Sequence, residues 1–232
     1  MLQHLRQKQK LLQEMKNDFY TSRGTHVYFQ EPLANDEIDM EGIVATLENQ
    51  IPHHLLSEVD IIVIGWFEEF KNRDIEAFYK DGILHISHLQ KNEKDLIDNI
   101  VHETAHSLES VYGFEIYGDQ EIRGEFLRKR KILHDKLWAL GYKGPQQWFM
   151  NTEHDQEFED FLFETVGKDK LRMICMGLFI NAYAPVSLRE YFATGFADYY
   201  LYQDHGLLAK VSPALAKKMN FLQVVKNLDN GP

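Results

Sequence analysis

One cysteine, Cys175, is all that 232 residues hold, so no internal disulfide framework can form. Its place in the apolar run from Leu171 to Ile180 points to a buried thiol rather than a nucleophile. Cationic charge is short as well: 25 lysines and arginines stand against 36 acidic residues, leaving a net charge of −11. Neutralising phosphates needs clustered cations, so this balance argues against general nucleic-acid binding and favours a soluble protein, one whose charge is compatible with neutral or basic peptides. No run of about 18 apolar residues occurs, so nothing in the sequence reads as a membrane span. The opening residues, Met1 to Lys8, lack the apolar core of a secretory signal, and neither repeats nor low-complexity segments are present.

What remains is a chain with 44% apolar residues, enough to fill one substantial core. Residues 2 to 20 read as an amphipathic helix, with Leu5, Leu12, Met15 and Phe19 on one side, able to dock on its own domain or on a partner. Thr25 to Gln30 reads as a short strand, Pro32 to Asp36 as a turn, and Asp39 to Asn49 as a helix. The β-branched run Val59 to Gly65 suits a buried central strand. Ala77 to Ser87 forms two strand-like halves around Asp81-Gly82, a strong hairpin signal. Further on, Asp119 to Leu140, Gln156 to Val166, Asp169 to Ile180 and a tail from Ser212 or Pro213 read as helices. The basic run Arg128-Lys129-Arg130-Lys131 spreads around its helix axis and reads as a solvated surface.

The chemistry is concentrated in His102-Glu103-Thr104-Ala105-His106. Residues four apart on a helix share a face, so two imidazoles can hold one zinc ion while Glu103 points at water beside it. The context supports a helix from Asn92 to Ser110: Leu96, Ile97, Ile100, Val101, Ala105 and Leu108 recur at helical spacing, with Gly113 as a stop. A catalytic zinc takes three protein ligands and leaves a position open, so another residue must complete the set. Glu190 is the candidate, because it opens the apolar and aromatic segment Glu190 to Tyr200, where a carboxylate is poorly solvated unless paired or bound to a metal. Ala193 and Ala197 follow on roughly the same face and are small enough for this helix to approach the His102 helix closely. Tyr183, seven residues before Glu190, can donate a hydrogen bond to an oxyanion.

His102-Glu103-Thr104-Ala105-His106, Tyr183 and the continuation Glu190-Tyr191-Phe192-Ala193 with Phe196 together resemble the gluzincin-type zinc metallopeptidases that include the anthrax lethal factor catalytic domain and the Pro-Pro endopeptidases. The resemblance implies zinc held by His102, His106 and Glu190, with Glu103 as general base and Tyr183 assisting catalysis. It also implies an α+β zincin-like fold: a small twisted mixed sheet, the active-site helix, and a largely helical C-terminal half. The span from His106 to Glu190 is longer than expected for that family, which implies a helical insertion over about 115–175. The expected organisation is an N-terminal helix over 1–24 and a single catalytic domain over 25–232. A peptide or protein substrate is expected, with the chain in the cytoplasm of the producing cell or released without a signal peptide, as a phage- or toxin-associated product is.

Metal-bound imidazoles usually donate their other N–H to a carboxylate or carbonyl, and Asp98, Glu109 and Asp198 are the candidates for that role. His205 follows the Glu190 helix and could reach the same cleft. His53, His54, His85, His88, His134 and His154 show no ligand spacing. The competing class is a catalytically idle zincin scaffold or a virion- or toxin-associated structural component. Decay of that kind would damage Glu103 or Tyr183, and both are intact.

Overall fold

The computed structural model describes residues 18–73, 75–202 and 205–224. The N-terminal helix expected over 2–20 lies outside them up to residue 17, and Phe19–Tyr20 is instead a short strand, β1. Two compact units are distinguished, Met1–Leu108 and Glu109–Pro232. The secondary structure is α+β, with helix predominating.

The first unit is built on a five-stranded mixed sheet. Its further strands are β2 (His26–Phe29), β3 (Ile61–Gly65), β4 (Ala77–Lys80) and β5 (Ile83–Ser87), in the order β1-β2-β3-β5-β4. Strands β2, β3 and β5 run parallel, and β1 and β4 are antiparallel at the two edges. The β-branched run therefore becomes the central strand, as its composition requires. Asp81 and Gly82 both take positive φ, 49° and 84°, the type I′ geometry whose twist matches the flanking strands.

Around the sheet stand α1 (Met40–Gln50), α2 (Glu68–Arg73) and α3 (Glu93–Tyr117). Asp39 caps α1 by accepting from Gly42 N at 3.0 Å, and Asn92 caps α3 by accepting from Asp95 N at 2.9 Å. Val44 and Leu47 of α1, Ile62 and Leu84 of the sheet, and Ile100 and Thr104 of α3 share one cavity of about 210 Å³. The apolar side of α3 is therefore in the core of this unit, and the opposite side carries the histidines.

Helix α3 outlasts the stop expected at Gly113. A Cβ at Gly113 would meet nothing within 4 Å, and the helix runs on to Tyr117 with its irregularity at Tyr112. Glycine in an open helix interior costs only about 1 kcal/mol, too little to end a helix that packing holds.

The second unit contains α4 (Glu121–Ala139), α5 (Gln146–Met150), α6 (Gln156–Asp160), α7 (Lys168–Cys175), α8 (Leu188–Leu201), α9 (His205–Val211) and α10 (Pro213–Val224). A π-helical turn, Phe161–Gly167, joins α6 to α7. Helix α7 stops at Cys175, short of the Ile180 expected, where Gly177 turns the chain at a φ of +72°. Close approach on α8 falls at Gly195, where a Cβ would sit 2.2 Å from Leu215 Cδ2 of α10.

The basic run in α4 is half buried rather than wholly solvated. Arg128 and Lys131 are exposed, but Lys129 and Arg130 are buried, each with dedicated partners. Lys129 Nζ donates to Tyr191 Oη at 2.8 Å and Ser212 Oγ at 2.6 Å. Tyr191 donates in turn to Glu125 at 2.7 Å, and Glu125 accepts from Ala214 N at the start of α10. Arg130 lies over the Phe158 ring, 4.2 Å from its centroid, and donates to the carbonyls of Trp148, Asn151 and Val186. Burial of these cations is tolerable because the Lys129 ammonium and both terminal nitrogens of Arg130 find acceptors inside the fold, although the buried Arg130 Nε has none among the described residues.

Candidate metal centre

His102 and His106 project from α3 one turn apart, with ring centroids 5.0 Å apart and planes at 79°. Both are half buried, while Ile100 and Thr104 on the opposite side of the helix are buried. The core-facing residues thus fix the rotation of α3, and that rotation presents the imidazoles on the accessible side.

Glu103 lies between the two histidines in sequence, and its carboxylate has a defined partner. Oε2 accepts the Tyr79 main-chain N–H at 3.0 Å, from the edge strand β4. Nothing in the pentapeptide signals this contact. Its sequence trace is the hairpin that places Tyr79 on an edge.

Glu190 is the third residue of α8. Ser187, fully buried, caps that helix by accepting the Glu190 N–H at 3.1 Å, and Leu188 N donates to Thr152 O at 2.8 Å. Arg130 holds the Val186 carbonyl just before the cap. The carboxylate thus projects from a first turn that is anchored on both sides. Next to it, Arg189 donates to Glu109, which also accepts from Tyr117 Oη at 2.7 Å. Burial and then the Glu109 charge raise the Tyr117 pKa, so the phenol stays protonated and serves as a donor.

The ligand atoms offered by His102, His106 and Glu190 all lie within 4.8 Å of one another. Two imidazoles and one carboxylate are donors that suit a divalent transition-metal ion. Together the three side chains form a set able to hold a metal ion.

Tyr183 stands in the turn ahead of α8. Its ring stacks on Phe163 of the π-helical turn, centroids 5.9 Å apart, and Asn181 Oδ1 accepts its main-chain N–H at 2.9 Å. That packing partner was not legible in advance, because the sequence reads there as an ordinary amphipathic helix.

Of the three carboxylates considered as partners of the ligands, Asp98 is half buried on α3 one turn before His102. Burial, opposed mainly by Lys94, raises its pKa above the ordinary value. Glu109 bridges Arg189 and Tyr117, and Asp198 is half buried on α8. His205 stacks on Tyr199, centroids 4.1 Å apart, at the start of α9. Several other histidines have local partners: His85 stacks on Phe78, His88 lies 3.0 Å from Glu31, and His154 lies 2.7 Å from Glu159.

No family model, curated protein or solved structure matches the chain. The site therefore stands on its own geometry. Among the described residues, no helix is long and apolar enough to cross a membrane.

Proposed function

We propose that this chain is a zinc-dependent endopeptidase of gluzincin type with a zincin-like fold. The observation that carries the reading is the approach of the His102, His106 and Glu190 ligand atoms to within 4.8 Å of one another, with Glu103 between the two histidines. An antiparallel edge strand whose Tyr79 amide meets Glu103 supports it, because an extended peptide can add to such an edge. The resemblance of the two motif windows to gluzincins points the same way.

His102, His106 and Glu190 would hold the zinc, which would supply Lewis acidity toward a water and the scissile carbonyl. Glu103 takes a proton from the attacking water as the oxygen bonds to the carbonyl carbon. It then delivers that proton to the amine nitrogen as the C–N bond breaks, so the carboxylate ends the cycle as it began. Tyr183 Oη donates to the oxyanion of the tetrahedral intermediate. The net charge of −11 favours neutral or basic peptides as substrates.

The test is incubation of the zinc-loaded protein with a diverse peptide pool beside a chelated sample, with cleavage read by mass. New termini that appear only in the zinc-loaded sample support the proposal. Identical masses in both samples contradict it.

A further inference from the structure

We infer that the main-chain amide of Tyr79 is a positioning group for Glu103, held in place by the tyrosine's own phenol. The inference rests on the general-base reading of Glu103. Among the described residues, strand β4 pairs with β5 on one side only, in a register that sets Tyr79 opposite Leu84. On an edge strand, alternate amides face away from the ladder and need another acceptor. For Tyr79 that acceptor is Glu103 Oε2, 3.0 Å away.

The amide is braced from two directions. Tyr79 Oη donates to the Glu58 carbonyl at 3.1 Å and accepts the Gly82 N–H at 3.0 Å, tying the strand to the turn that follows it and to the segment before β3. The neighbouring residue, Phe78, is buried, stacked on His85 with centroids 4.3 Å apart and edge-on to Phe67 and Phe70. Side chains of successive strand residues leave on opposite faces, so these contacts grip both faces of β4. A donor fixed in that way restrains the carboxylate that it meets. A glutamate side chain has three rotatable bonds, and a general base acts only when its oxygen is within hydrogen-bond reach of the proton that it takes. One Glu103 oxygen is thus anchored on the strand, which limits where the carboxylate can act.

The contact can be tested without any turnover. In the ¹⁵N-labelled chain the Tyr79 amide should exchange slowly with solvent, and Glu103→Ala should speed that exchange by roughly tenfold or more while Phe78 and Lys80 keep their rates. Fast exchange in the unsubstituted chain, or equal exchange in both proteins, overturns the inference. The second arm replaces Tyr79 by its α-hydroxy acid, which removes the N–H and leaves the side chain in place. Cleavage should slow through kcat by about tenfold, with KM and zinc content unchanged. Full kcat in the ester protein overturns positioning. If the unsubstituted protein cleaves nothing, the proposed function fails instead, and the exchange rates still decide whether Tyr79 holds Glu103.

Discussion

Arg189 donates its Nε–H to Glu109, joining the residue before Glu190 to the residue three places after His106. Glu109 and Arg189 belong to the same compact unit, so this ion pair fixes the first turn of α8, which bears the Glu190 carboxylate, within that unit. Its energetic value lies in position rather than stability. The Arg189 side chain is 58% exposed, and exposed pairs contribute about 1 kcal/mol or less.

Arg189→Ala should therefore weaken zinc binding about tenfold, the lower end of the effect of outer partners on metal ligands, while leaving the melting temperature nearly unchanged. Chelator competition and a thermal melt measure the two quantities. A large fall in melting temperature with unaltered zinc affinity would show the pair to be structural.

Glu103→Gln removes the proton acceptor but keeps the size and the acceptor oxygen that Tyr79 requires. Zinc content should stay at the unsubstituted level while kcat drops by about 10²–10⁴. Undiminished turnover in this variant would end the general-base assignment.

For Tyr183→Phe, stacking on Phe163 is retained, because only the hydroxyl is lost. Loss of one preorganised oxyanion donor should lower kcat by about 10²–10³ with little change in KM. Steady-state kinetics decide it, and an unchanged kcat would leave Tyr183 as a packing residue.

Lys129 gives a pH signature distant from the metal ligands. Burial pushes its ammonium down to about 8 in the folded chain, against about 10.4 when unfolded. Between those values the unfolded state binds more protons, so this group makes stability rise with pH from about 8 upwards and imposes its full cost below that. Cys175, raised to about 12 by burial, and Tyr191, also raised, act in the opposite direction above about pH 9, where the unfolded thiol and phenol ionise first. The urea midpoint of the unsubstituted chain should therefore gain on that of Lys129→Met between pH 7.5 and 9, taken as rough bounds from these pKa values. Parallel curves for the two proteins would refute the assignment.

The parts of this structure legible in the sequence were those where one local rule suffices. Spacing of four on a helix put His102 and His106 together, Asp81-Gly82 set the hairpin, and the β-branched run set the central strand. Glu190 was legible because a carboxylate heading an apolar helix calls for a partner. Contacts made by the main chain or across long separations were hidden. The Tyr79 amide has no side-chain signature as a donor to Glu103, and the burial of Lys129 and Arg130 depends on acceptors 18 to 83 residues away. Helix ends went astray where packing outweighed propensity, as at Gly113, and where a glycine turned the chain early, as at Gly177.

Anomalous diffraction at the zinc edge, from crystals grown with zinc, tests the central claim most directly. The expected result is one strong peak bonded at about 2.0–2.2 Å to a nitrogen of His102, a nitrogen of His106 and a carboxylate oxygen of Glu190. A peak elsewhere, or one on the histidines with the Glu190 side chain turned away from it, would contradict the account.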